Sequence, residues 1–172
     1  MAFSLYDVSV DSYLRTTTAI AAVLETAEAH FSATGVDLEE IAAARLCDDM
    51  AQFRFQVACV AHHSLEAVRA CASGSFGPPE GFETLGWAEL KALLRSTLDG
   101  LGTFEREAVD ALAGGRVVFR LGETEIPFTT ENFILGFSLP NFYFHATTTY
   151  DILRARGVPI GKRDFLGQLR IG

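Results

Sequence analysis

The chain lacks any surplus of positive charge. Lysine and arginine number 14 against 22 aspartates and glutamates, a formal net charge of −8. Nucleic acids and anionic membrane surfaces both call for a basic face, so neither is an expected partner. It also lacks an uninterrupted apolar run of the ~20 residues that span a bilayer. Asp7 and Asp11 interrupt the N-terminal segment, which excludes the apolar centre of a signal peptide there. Cysteine is scarce. Cys47, Cys59 and Cys71 form an odd set with no close pair, as in a reducing compartment. The expected location is the cytoplasm. Internal repeats and low-complexity segments are absent too.

What the chain does have is apolar material. Hydrophobic residues make up 49% of its 172 positions, which fits one globular domain over residues 1–172 and excludes a disordered chain. A chain of this length buries about 70% of its unfolded surface and needs no disulfide or structural metal.

The apolar residues recur at helical spacing. Tyr13, Thr17, Ile20, Leu24, Ala27 and Phe31 predict a first helix over 7–33, stopped by Gly35. Asp37 is placed to cap a short turn over 38–45. A second helix is expected from Asp48 to Ala72, with Phe53, Val57, Val60, Ser64 and Val68 on its inner face. Ser73 to Gly81 reads as a loop. A third helix is expected over 84–113, although Gly100 and Gly102 sit inside its pattern and mark a kink or a close helix contact. The period then shifts from 3.6 to 2 across Val117, Phe119, Leu121, Ile126 and Phe128, with a turn at Gly122 and Glu123, which predicts a β-hairpin. The last helix runs from Asn132 to Arg156. Pro140 should kink it, because its ring meets the carbonyl of residue 136. The fold class is all-α: a four-helix bundle with a small β-hairpin before the last helix.

That last helix carries a stripe of polar residues. Ser138, Asn141, His145 and Thr149 follow one another at spacings of three, four and four, so they share one helical face. A buried polar group without a partner costs roughly 1–3 kcal/mol. An inward stripe therefore calls for a hydrogen-bond network, a metal or a ligand. His145 is expected to face inward, bonded to Asn141, Thr149 or a group on a neighbouring helix. On the second helix, His62 and His63 point about 100° apart and cannot both serve one site. His62 is expected nearer the exposed side. Cys59, His63 and Glu66 share a face and form a second constellation, for which a core cysteine and a surface His63–Glu66 pair are the plainer expectation.

Three stretches go further: MAFSLYDVSVDSYLRTT at the start, QVAC at Gln56 to Cys59, and LPNFYFHATTTYDILRARGVPIGKRDFLG from Leu139 to Gly167. Together they resemble the domain of unknown function nineteen-ninety-three, a branch of the DinB/YfiT-like superfamily of metalloenzymes. The resemblance implies a DinB-like four-helix bundle that forms a homodimer. Metal-binding relatives present one histidine from the second helix and two from the last, four residues apart, and are linked to thiol-dependent transferase or hydrolase chemistry. His145 matches the first of the last-helix pair. The position four further on is Thr149, and the second-helix ligand would be His62 or His63.

A catalytic zinc or nickel site normally has three protein ligands and an open position. His145 with His62 or His63 gives two imidazoles, and the hydroxyl of Thr149 is a poor substitute for a third. The expected function is therefore a polar ligand pocket around His145 with an incomplete metal set. The alternative is a divalent-metal-dependent hydrolase or thiol transferase acting on a small substrate. Phe142, Tyr143 and Phe144 cover three successive faces of the helix, which favours burial of one face by a second copy. The turn Gly161 to Asp164 concentrates two cations, either solvated or receiving an anion.

Overall fold

Ser4 opens the first helix. Its hydroxyl accepts from the Asp7 amide while the Asp7 carboxylate accepts from the Ser4 amide, so two otherwise unbonded donors are satisfied. In the computed structural model, which describes residues 3–169, this helix is only α1, Leu5–Val8. A break at Ser9 separates it from α2, Val10–Thr34. The opening stretch's Met1 and Ala2 lie outside the described residues. Gly35 ends α2 at φ +70, a left-handed conformation natural to glycine. Asp37 caps α3, Leu38–Ala43.

The second rod starts later than its sequence pattern predicts. It begins at Phe53 and comprises α4, Phe53–Ala61, a π turn, His62–Glu66, and α5, Ala67–Ser73. Gly74, at φ +75, turns the chain into β1, Ser75–Phe76. The third rod is α6, Trp87–Leu101. It stops well before residue 113, and α7 covers only Arg106–Asp110. Gly100 serves a close contact: a Cβ there would lie 2.8 Å from the Leu65 side chain of the π turn. The hairpin is β2, Arg116–Leu121, and β3, Thr124–Thr129. It pairs antiparallel with Leu121 opposite Thr124. The predicted loop at Ser73–Gly81 contributes β1 as a third strand, parallel to β2, with Phe76 opposite Phe119.

Thr129 caps the last rod. It consists of α8, Thr130–Phe133, a second π turn, Ile134–Ser138, and α9, Leu139–Ala155. Pro140 has no amide to donate, and its ring crowds the carbonyl four residues back. The widened π turn just before it takes up that conflict. A last short helix, α10, covers Lys162–Leu166 and packs on α2.

The long rods close a ring: α2 packs on α6, α6 on α4, α4 on α9 and α9 on α2. At one place in the core Trp87 stacks on Phe53, with centroids 5.4 Å apart, and meets Phe31 edge-on. Tyr13 meets Phe142 edge-on at 4.9 Å. Each fully buried side chain of this size contributes roughly 1.5–3 kcal/mol. Among the described residues no helix is long and apolar enough to cross a membrane.

Candidate functional site at a histidine pair

Because α4 and α9 lie side by side, the two π turns come together. A π turn inserts one residue into a helix and re-aims the side chains around it; such turns are rare and frequent at functional sites. The first carries His62 and His63, and the second ends at Ser138. They are cross-bonded. The Ser138 hydroxyl donates to the His63 carbonyl at 2.7 Å, and the Tyr13 hydroxyl of α2 donates to Ser138 Oγ at 2.8 Å. All the polar atoms in this short chain are used.

Next to it lies a pair of imidazoles. The rings of His63 and His145 stack nearly parallel, 14° apart, with centroids separated by 6.0 Å. His63 is 6% exposed and His145 8%. Gln56 of α4 fixes the protonation of His145. Its amide nitrogen donates to the Ala51 carbonyl at 3.0 Å, so Oε1 is the atom facing His145 Nδ1, at 2.7 Å. An amide oxygen only accepts, so the proton sits on Nδ1 and the lone pair on Nε2. Among the described residues that Nε2 has no hydrogen-bond partner. On the facing ring, His63 Nδ1 is buried with no hydrogen-bond partner.

Burial holds both rings neutral. It pushes His63 down to about 3, helped by the neighbouring His62 and His145, and His145 down to about 4. His62 is lowered as well, again mainly by burial. Its Nε2 donates to the Gly77 carbonyl at 2.7 Å and its ring stacks on Phe76, so it is committed to the loop after β1. It stands 84° from the His63 ring. Aromatic rings surround the pair: Phe76 and Phe137 beside His63, Phe55 and Phe144 beside His145.

The polar stripe is buried at Ser138, His145 and Thr149 and half-buried at Asn141. Its members do not form one network. Asn141 donates to the Phe137 carbonyl, and Thr149 donates to the carbonyl of His145 itself. Of the buried members, Ser138 and Thr149 bond to main-chain carbonyls, whereas His145 bonds to a side chain on another rod. The expected surface pair of His63 with Glu66 does not form: Glu66 pairs with Arg69 at 2.6 Å, and His63 is buried. Cys59 is buried and its thiol is pushed up to about 12, far from an activated thiolate. At the C-terminal turn, Asp164 accepts from the Gly161 amide. Arg163 borders a cavity of about 870 Å³ between α2 and α10, away from the imidazoles.

The residues do not fit a three-histidine metal centre. Among those described, no cluster of three histidine, cysteine, aspartate or glutamate side chains is placed to hold an ion. His62 faces the loop, Thr149 is spent on the main chain, and Gln56 offers a neutral amide already bonded at both ends. Sequence reasoning passed over Gln56 and treated Tyr13 as core alone. One signal was present: Gln56 precedes His63 by seven residues, two helical turns along one face.

Fold and site together define a class: a helical bundle in which neighbouring rods bring two neutral histidines face to face. The chain belongs to the family described as Domain of unknown function (DUF1993), whose model matches residues 5–166. Among solved structures it is similar to a crystal structure of a DinB family member protein from Shewanella denitrificans at 1.83 Å resolution. The two are 26% identical with a TM-score of 0.82, over 98% of this chain and 94% of that one. No curated protein matches the chain.

Proposed function

We propose that the protein binds a small molecule at the His63–His145 pair and does so without a resident three-histidine metal. The observation that supports this most is the Nδ1 of His63, buried without a hydrogen-bond partner among the described residues, in a ring stacked on that of His145. Native interiors rarely leave such atoms unbonded, and a ligand is one of the few things that repays them. The test is a metabolite panel read by melting temperature, repeated on His145→Ala. A hit lost in the variant supports the reading. A panel with no hit, or hits indifferent to His145, counts against it.

The second reading is a divalent-metal-dependent hydrolase or thiol transferase, favoured by the near-parallel stacking of two neutral imidazoles from two rods. It needs ligands beyond those two. Zinc and nickel titrated into untagged protein should bind stoichiometrically if it holds. A homodimer remains part of the proposal. Phe142 is buried within the chain and Tyr143 is half-buried against the core, so the argument now rests on Phe144, 57% exposed. Sedimentation of Phe144→Ser against the parent chain tests it. Cys47, Cys59 and Cys71 are all free thiols, which supports a cytoplasmic location.

A further inference from the structure

We infer that the histidine pair selects a neutral, flat molecule that donates one O–H or N–H to His145 Nε2, while its apolar body lies against the surrounding phenylalanines. The inference rests on the ligand-binding reading above and adds the chemistry of the ligand. Three observations carry it.

First, the tautomer is enforced. The chain from the Ala51 carbonyl through the Gln56 amide to His145 Nδ1 leaves one orientation for each group. Nε2 is therefore an acceptor, and its natural partner is a donor. Second, the charged side chains of the second rod are already engaged. Neither imidazole forms an ion pair among the described residues. On the second rod Glu66 and Arg69 pair with each other, and Arg54 donates to the carbonyls of Ala42 and Glu83. An anion would face the Nε2 lone pair and find no proton to accept there. Third, the walls are aromatic. Phe55 and Phe144 meet His145 edge-on at 5.6 and 5.2 Å, and Phe76 and Phe137 flank His63 at 5.4 and 5.8 Å. Rings so placed favour a planar apolar body.

Gln56 is then a positioning residue. It touches no ligand, yet it decides which nitrogen of His145 is offered.

The experiment uses four one-ring probes on the full chain at pH 7.5, followed by nitrogen chemical shifts of the histidine rings. Phenol carries the donor, anisole has it methylated, benzoate is an anion and benzylammonium a cation. Phenol should bind and move the His145 Nε2 signal. Anisole should bind about tenfold more weakly, the worth of one hydrogen bond. Benzoate and benzylammonium should leave that signal in place. In Gln56→Met the preference for phenol over anisole should shrink towards unity. If that variant does not fold, the four probes on the parent chain still decide. Anisole binding as well as phenol, or benzoate binding more tightly, overturns the inference while leaving a ligand site at the pair. If no probe moves the His63 or His145 signals, and the metabolite panel is also blank, the underlying reading falls with it.

Discussion

Two buried polar groups lie side by side where the rods meet, and they are built on opposite principles. The chain from Tyr13 through Ser138 to the His63 carbonyl is complete, with donors matched to acceptors at 2.7 and 2.8 Å. Among the described residues the imidazole pair makes a single side-chain hydrogen bond, from His145 Nδ1 to Gln56, and leaves His63 Nδ1 buried without a partner. Completed networks hold a fold in one arrangement. Incomplete ones are tolerated where something else completes them, at a cost in stability. The contrast separates scaffold from site using groups on the same rods.

Acid should expose the difference most strongly. The folded-state values of His63 and His145 are depressed to about 3 and about 4, below the ordinary 6.5. As pH falls below ~6.5 the unfolded chain takes up protons that the folded chain refuses. Stability is therefore full above ~6.5 and drains away towards pH 4, by roughly 3 kcal/mol for each histidine. Urea unfolding at pH 7 and pH 4 measures this. His63→Leu should lose about half of the acid sensitivity, whereas Ser138→Ala should keep all of it.

Ser138→Ala tests the completed chain. It strands the Tyr13 hydroxyl and one acceptor, for a loss of about 2 kcal/mol at pH 7. Tyr13→Phe is milder, about 1 kcal/mol, because Ser138 keeps its bond to the His63 carbonyl. The smallest effect is expected of His63→Leu at pH 7. Replacing a ring with an unbonded nitrogen by an apolar group should be neutral or stabilising by up to about 1 kcal/mol. A large loss there would mean that the pair is scaffold after all, and the comparison would collapse. All three variants are read by chemical denaturation.

Much of the architecture was legible because it depends on local pattern. The spacing of Tyr13, Ile20, Leu24 and Phe31, the caps at Asp37 and Thr129, and the alternation across Val117 to Phe128 each reflect chemistry within a few residues. The boundaries at Asp48 and Ala113 failed for the reason such boundaries usually fail. A helical pattern continues through residues that tertiary packing sends elsewhere. β1 was hidden because two residues carry no period, and its partner β2 lies some forty positions away.

The sequence by itself determined that this is a four-rod bundle with a hairpin, that it carries a net negative charge, and that its last helix bears an inward polar face. These are properties of periodicity and composition. Only the tertiary structure decided which of those polar groups are spent. Ser138, Asn141 and Thr149 turn to main-chain carbonyls, while His145 meets Gln56, 89 residues away in the chain. A hydrogen bond depends on an ångström and an angle between rods, and no spacing along one rod encodes either.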